Sequence, residues 1–203
     1  MPEPHSFHPK AEPLDARDWI AGLEKGLSII EAFDAEHPRL TSTEAGARCG
    51  MTRTAARRYL KTLTHLGYVG TDGKLFWLNP RILRLGHAYL ESARLPRMVQ
   101  AYLQRITAGT EEIAYLGVLD GGETVYVARS GMHRHMLSGY MLGSRIPAQV
   151  TAAGMAILSN LSDAQVNQWL DNHELRTFTS FTISSQTELR EHLQLFKRQG
   201  WAC

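Results

Sequence analysis

Between Thr41 and Leu66 the chain carries two helix signals joined by a tight turn, and this stretch constrains the fold more than any other. Thr41 and Glu44 have the spacing of a capping box, in which a hydroxyl takes the amide three residues on and a carboxylate reaches back. A short helix is therefore expected from Ser42 to Cys49, with Gly50 supplying the left-handed residue that stops it. Thr52 is a second N-cap and opens a helix to about Leu66, where Gly67 ends it. At about 100° per residue, Arg53, Arg57, Lys61, Thr54 and Arg58 fall on one arc of that helix. Leu66, Tyr59, Leu63, Ala56 and Leu60 fall on the other, so a basic face and an apolar face do not overlap.

After Gly67 a hairpin is expected: Tyr68 to Thr71, an Asp72-Gly73 turn, and Lys74 to Leu78. Asn79-Pro80 reads as an N-cap with proline at the first helical position, opening a helix through Leu90. Its broad apolar surface, Ile82, Leu83, Leu85, Ala88, Tyr89 and Leu90, is that of a helix packed on two sides. Before the capping box, Trp19 to Phe33 has helical periodicity. Charge is uneven. From Ala45 to Leu90 stand Arg48, Arg53, Arg57, Arg58, Lys61, Lys74, Arg81 and Arg84 against Asp72 alone, a net of +7 in a chain whose formal total is +2. Such asymmetry points to a polyanion partner for this region.

Helix, turn, helix and basic hairpin, in that order, are the parts of a winged helix-turn-helix. The second helix would enter the major groove of double-stranded DNA with Thr52, Arg53, Thr54 and Arg57 at its leading end. Arginine matches guanine edges and threonine a thymine methyl. Arg58, Lys61 and Thr43 suit phosphate contact, which positions without specifying, and Lys74 would sit at the tip of the wing.

Residues 96–203 read as a second, mixed domain. A helix from Pro96 to about Ala108 precedes strands at Ile113 to Leu119 and Thr124 to Arg129. A strand is expected over Met136 to Leu142, a turn over Gly143 to Pro147, and helices from Thr151 to Leu158, Ser162 to Asn172, and Ser185 or Thr187 to Arg198. Nothing here signals catalysis or a cofactor. Ser130, His133 and Asp120 lie close in sequence, but no Gly-x-Ser-x-Gly elbow holds a nucleophile. His133 and His135 share a strand face without a third ligand, so no metal site is expected. Cys49 and Cys203 are the only cysteines, neither a disulfide framework nor a zinc finger. Residues 1–18 are expected to be a mobile arm, because Met1 to Pro13 lacks the apolar core of a secretory signal; with no apolar run long enough to span a membrane, the expectation is a cytoplasmic protein.

The run Gly26-Leu27-Ser28-Ile29-Ile30-Glu31-Ala32-Phe33, the stretch from Arg53 to Tyr68 and the stretch from Phe76 to Gly86 resemble the IclR family of bacterial regulators. The segments Asp120 to Arg129, Gly143 to Pro147 and Thr151 to Gly154 resemble its second domain. Ala55-Ala56-Arg57-Arg58-Tyr59-Leu60 and Tyr89-Leu90 look nearest to the branch controlling aromatic-acid and β-ketoadipate catabolism. The resemblance implies an α+β protein: a winged helix-turn-helix over 19–78, a linker helix over 79–95, and a GAF-like effector domain over 96–203. It implies homodimers or tetramers, and a small organic acid seated on backbone amides at Thr151, Ala152, Ala153 and Gly154. A helix N-terminus is a natural carboxylate seat, and Arg129, Arg134 and Arg145 are further candidates for the anion. Two departures stand out. Met155 occupies a position where the family usually has lysine, and the chain ends at Gln199-Gly200-Trp201-Ala202-Cys203, before the family's last strands. The expectation is a weakened, partner-completed or ligand-blind effector domain. Two rivals to the ligand-responsive regulator remain: a small-molecule-binding or catalytic domain whose helix-turn-helix serves dimerisation, and a shortened regulator that binds DNA but senses nothing.

Overall fold

The computed structural model describes residues 14–131 and 140–203. They fall into two compact units that divide between Glu91 and Ser92.

The first unit opens with α1 (Ala21–Glu31), shorter at both ends than its periodicity indicated; Ile20, at its N-cap, has no side-chain acceptor to extend it. Then come β1 (Leu40–Thr41), α2 (Ser42–Arg48), α3 (Arg53–His65), β2 (Val69–Thr71) and β3 (Leu75–Leu78). The hairpin β2–β3 pairs in the register Val69↔Leu78, Gly70↔Trp77 and Thr71↔Phe76. Its other edge is taken by β1, Leu40 opposite Phe76 and Thr41 opposite Leu75, giving the sheet order β1-β3-β2. Sequence reading missed β1, because two residues carry no periodicity and exist as a strand only through their partner. Ile29, Ala32, Leu40, Ala45, Ala56, Leu60, Leu63, Val69 and Phe76 form one core between helices and sheet.

The expected helix from Asn79 differs at its start. Pro80–Ile82 make a 3-10 turn and α4 runs Leu83–Ser92. Asn79 does not cap it; its Nδ2 instead donates to Gly67 O at 3.2 Å, tying the end of β3 to the end of α3. No residue of α4 is buried.

The second unit holds α5 (Arg94–Thr110), β4 (Ala114–Asp120), β5 (Glu123–Ser130), β6 (Arg145–Pro147), α6 (Ala152–Ser159), α7 (Asp163–Asn172) and α8 (Gln186–Gln199). The three strands are antiparallel in the order β4-β5-β6. One sheet face packs Ala114, Leu116 and Ala128 against Val99 and Leu103 of α5. The other side carries the main core, Leu119 with Met155, Leu158, Trp169, Leu170, Leu189, Leu193 and Phe196. Trp169 is anchored at its polar edge as well, its Nε1 donating to Gly121 O at 2.9 Å in the β4–β5 turn. Two expectations are corrected here. Arg145–Pro147 is a strand, not a turn: it pairs with Val125, Thr124 and Glu123, and the chain reverses just before it, at Gly143 (φ 84°). The strand expected over Met136 to Leu142 lies partly outside the described residues, and Tyr140–Leu142 are not extended strand. Among the described residues no helix is long and apolar enough to cross a membrane.

Candidate nucleic-acid interface and effector pole

The capping box at the start of α2 is formed. Thr41 Oγ1 accepts from the Glu44 amide at 3.3 Å, and Glu44 Oε2 accepts from the Thr41 amide at 2.7 Å and hydroxyl at 2.8 Å. These donors, the backbone amide first, hold the Glu44 carboxyl below the usual range. The turn to α3 is steric as well as conformational. Gly50 takes a left-handed φ of 63°, and a Cβ at Gly46 would fall 2.8 Å from Met51 O and 3.4 Å from Ala56 Cβ. The two helices therefore approach at a distance only glycine permits. Thr52 Oγ1 caps α3 by accepting from the Ala55 amide at 3.2 Å.

On α3 the faces separate as the helical spacing requires, except that Leu66, assigned to the apolar arc, is the C-cap residue and is 48% exposed because the helix ends before it. Ala56, Leu60 and Leu63 are buried, while Arg53, Thr54, Arg57, Arg58 and Lys61 are exposed. Thr43 on α2, Thr52 at the cap and Lys74 on the hairpin are exposed too. Among the described residues no carboxylate pairs with Arg53, Arg57, Arg58, Lys61 or Lys74. In the hairpin turn Asp72 Oδ1 accepts from the amides of Lys74 (2.9 Å) and Leu75 (2.7 Å), which lowers its pKa and spends the acid on the turn itself. Gly73, at φ 99°, completes that turn.

Two arginines of the basic stretch do other work, which composition cannot reveal. Arg48 is bonded to Asp34 and, through Nη1 at 3.0 Å, to His37, fixing the loop before β1. Arg81 Nη1 donates to Leu66 O at 2.8 Å, where a cation suits the carboxyl end of α3.

In the second unit Thr151 caps α6, its Oγ1 accepting from the Gly154 amide at 3.0 Å and lying 3.1 Å from Thr124 Oγ1 on β5. A Cβ at Gly154 would fall 2.2 Å from Ala148 O, so the helix start is pressed against the preceding turn. The amides of Ala152 and Ala153, at the first helical positions, have no intrahelical acceptor. Sequence reading overlooked the aromatic side chains beside this pole. Tyr126 on β5 stacks on Tyr140 with centroids 4.8 Å apart and meets Tyr115 of β4 at 5.2 Å. Burial, then the neighbouring tyrosines, push its hydroxyl pKa up. Three tyrosines far apart in sequence give no local signal; the β4–β5 pairing brings the first two together.

The three candidate arginines part ways. Arg129 donates Nη1 to Tyr140 O at 3.2 Å and lies 5.7 Å from the Tyr115 ring, with no carboxylate on it among the described residues. Arg145 is held by Glu123 at 2.7 Å and Asp120 at 2.8 Å, which meet its charge internally. Arg134, like His133 and His135, lies outside the described residues. Met155 is buried in the main core.

The sequence profile of the IclR helix-turn-helix domain matches residues 22–73, and that of the bacterial transcriptional regulator IclR C-terminal domain matches 87–203. The chain belongs to the IclR family. It is 39% identical over 188 residues to the Pca operon regulatory protein of Acinetobacter baylyi, covering 91% of this chain and 68% of that relative. It is 39% identical over 206 residues to the p-hydroxybenzoate hydroxylase transcriptional activator of the same organism, covering 99% of this chain and 74% of the relative. The solved structure of a transcriptional regulator from Rhodococcus sp. RHA1 superposes with a TM-score of 0.71 at 35% identity, over 90% of this chain and 73% of that one. This IclR-type protein is thus a DNA-binding transcription regulator and not an enzyme, an α+β chain shorter than these relatives.

Proposed function

We propose that this regulator reads a specific operator with α3 and controls bacterial catabolic genes in response to a small aromatic acid. The observation that carries the reading is the exposed face of α3, whose guanidinium groups have no carboxylate on them among the described residues while the opposite face is locked in the core. Arg53, Thr54 and Arg57, near the capped start, take the base edges; Thr43, Thr52, Arg58, Lys61 and Lys74 take phosphates. A homodimer, or a tetramer made of two such dimers, in the cytoplasm sets two copies of α3 in successive major grooves of a pseudo-palindrome.

For the effector, support comes from the α6 pole. The free amides of Ala152 and Ala153 suit a carboxylate, and the Tyr115–Tyr126–Tyr140 cluster beside the Thr151 cap suits an aromatic ring. Gly154 and Thr151 shape the seat, and Arg129 is the stronger arginine candidate, Arg145 being already paired. The relatives' names agree with this chemistry: one is a Pca operon regulatory protein and another a p-hydroxybenzoate hydroxylase transcriptional activator. The test is to select bound duplexes from a randomised pool and titrate the complex with p-hydroxybenzoate and an aliphatic acid of equal charge. Enrichment of a two-fold-related site, with its occupancy changed by the aromatic acid alone, is expected. Binding without a preferred sequence would overturn the operator reading, and indifference to aromatic acids the effector reading.

A further inference from the structure

Arg39 immediately precedes β1 and is exposed, outside the basic stretch that composition marks. Its guanidinium carbon lies 4.6 Å from the centre of the Trp77 ring on β3. Trp77 is on the outer face of the small sheet, since its neighbour Phe76 points into the core at 3% exposure. The indole lies across its cross-strand partner Gly70: a Cβ there would come within 2.4 Å of Trp77 Nε1, so only glycine lets the ring settle flat on the strand. A guanidinium over a ring face is attracted as a cation and still carries five N–H donors that the ring does not satisfy as an acceptor oxygen would. Those donors meet no acceptor among the described residues. The acid that feels its charge, Asp72, is bonded through Oδ1 to the amides of Leu75 and Lys74; Arg39 helps only last in holding that carboxyl low and makes no ion pair with it among the described residues.

Strand register places this cation beside the wing. Thr41 pairs with Leu75, so Lys74 stands just past one end of the β1–β3 pairing and Arg39 just past the other, roughly 10 Å apart at strand rise. Arg39 also leads, through Leu40, into the capped start of α2, a helix that a helix-turn-helix lays across the DNA backbone.

We propose that Arg39, held over the Trp77 ring, is a second phosphate anchor of the wing, acting beside Lys74 on the same duplex. The proposal rests on the DNA-binding reading above. Its contact adds affinity and salt dependence but no base preference.

The test is a fluorescence-anisotropy salt series with the full chain, on the duplex selected by the wild-type protein and on a mixed-sequence duplex. Releasing one fewer counterion should flatten the slope of log K against log salt by about one for Arg39→Gln. That corresponds to a loss on the order of five- to tenfold near 0.1 M salt, on both duplexes alike. Arg39→Lys, which keeps the charge but not the guanidinium fork, should restore the slope while leaving affinity below wild type. Thermal midpoints should be unchanged. A wild-type slope for Arg39→Gln, or a loss of affinity that tracks a lower midpoint with no change in slope, overturns the proposal. Arg57→Ala is measured alongside. If wild type binds duplexes without salt dependence, the DNA-binding reading falls and Arg39 with it; if wild type and Arg57→Ala behave as expected and Arg39→Gln does not, the anchor alone falls.

Discussion

At the scale of single residues, charge separates into what faces outward and what the fold consumes. Arg57, exposed on α3, should cost about 1–3 kcal/mol of operator binding when changed to alanine and should relax preference at one base position. Lys74→Ala should weaken all duplexes equally and lower the salt slope by about one. Competition with single-base variants of the selected site distinguishes the two, and a sequence-selective loss for Lys74→Ala would reverse its assignment. The outward face of α3 was legible because a helical repeat converts sequence spacing directly into direction. Arg48 and Arg81 were not distinguishable from it, since Asp34, His37 and the Leu66 carbonyl reach them only through the folded chain. The same holds for Arg145, whose carboxylates arrive from the β4–β5 hairpin.

At the scale of elements, the helix-turn-helix depends on its caps and its turn. Thr41→Ala should lower stability by about 1 kcal/mol in denaturant titration, the usual worth of an N-cap hydroxyl. The pH dependence has a definite sign. Glu44 has a lowered pKa in the folded protein, so its contribution is present above the ordinary glutamate range and is lost as pH falls through the folded value. Wild type and Glu44→Ala should therefore differ in melting temperature near neutrality and converge in acid; a constant gap would show that the carboxylate's charge is irrelevant. Gly46→Ala should destabilise by about 1–3 kcal/mol, because the added methyl meets the Met51 backbone oxygen, which cannot swing aside as a side chain would. Caps, turn glycines and amphipathic helices were readable because each is local chemistry. The strands β1 and β6 were not: each is two or three residues long and is defined by the strand beside it. Pro147 made β6 look like a turn, although proline at a strand end gives up no ladder donor that the strand needs.

At the scale of the whole molecule, two units with separate cores make up this IclR-type regulator, and the proposed reading gives DNA to the first and the effector to the second. The first unit leaves Leu23 and Leu27 of α1, and Leu83 and Leu85 of α4, 46–70% exposed, an apolar surface of the kind that association covers. If the proposed dimer forms there, Leu27→Glu should shift sedimentation toward the monomer and weaken binding to a two-half-site duplex far more than to a single half-site. Unchanged sedimentation would place the association elsewhere. Such a dimer would carry two reading heads in which α2 and α3 meet so closely at Gly46 that one added methyl would collide with the Met51 backbone oxygen. Each head then behaves as the stiff jaw of a pair of calipers. A change in the preferred base letters can come only from exchanging side chains along α3, and a change in the gap between half-sites only from whatever joins the jaws.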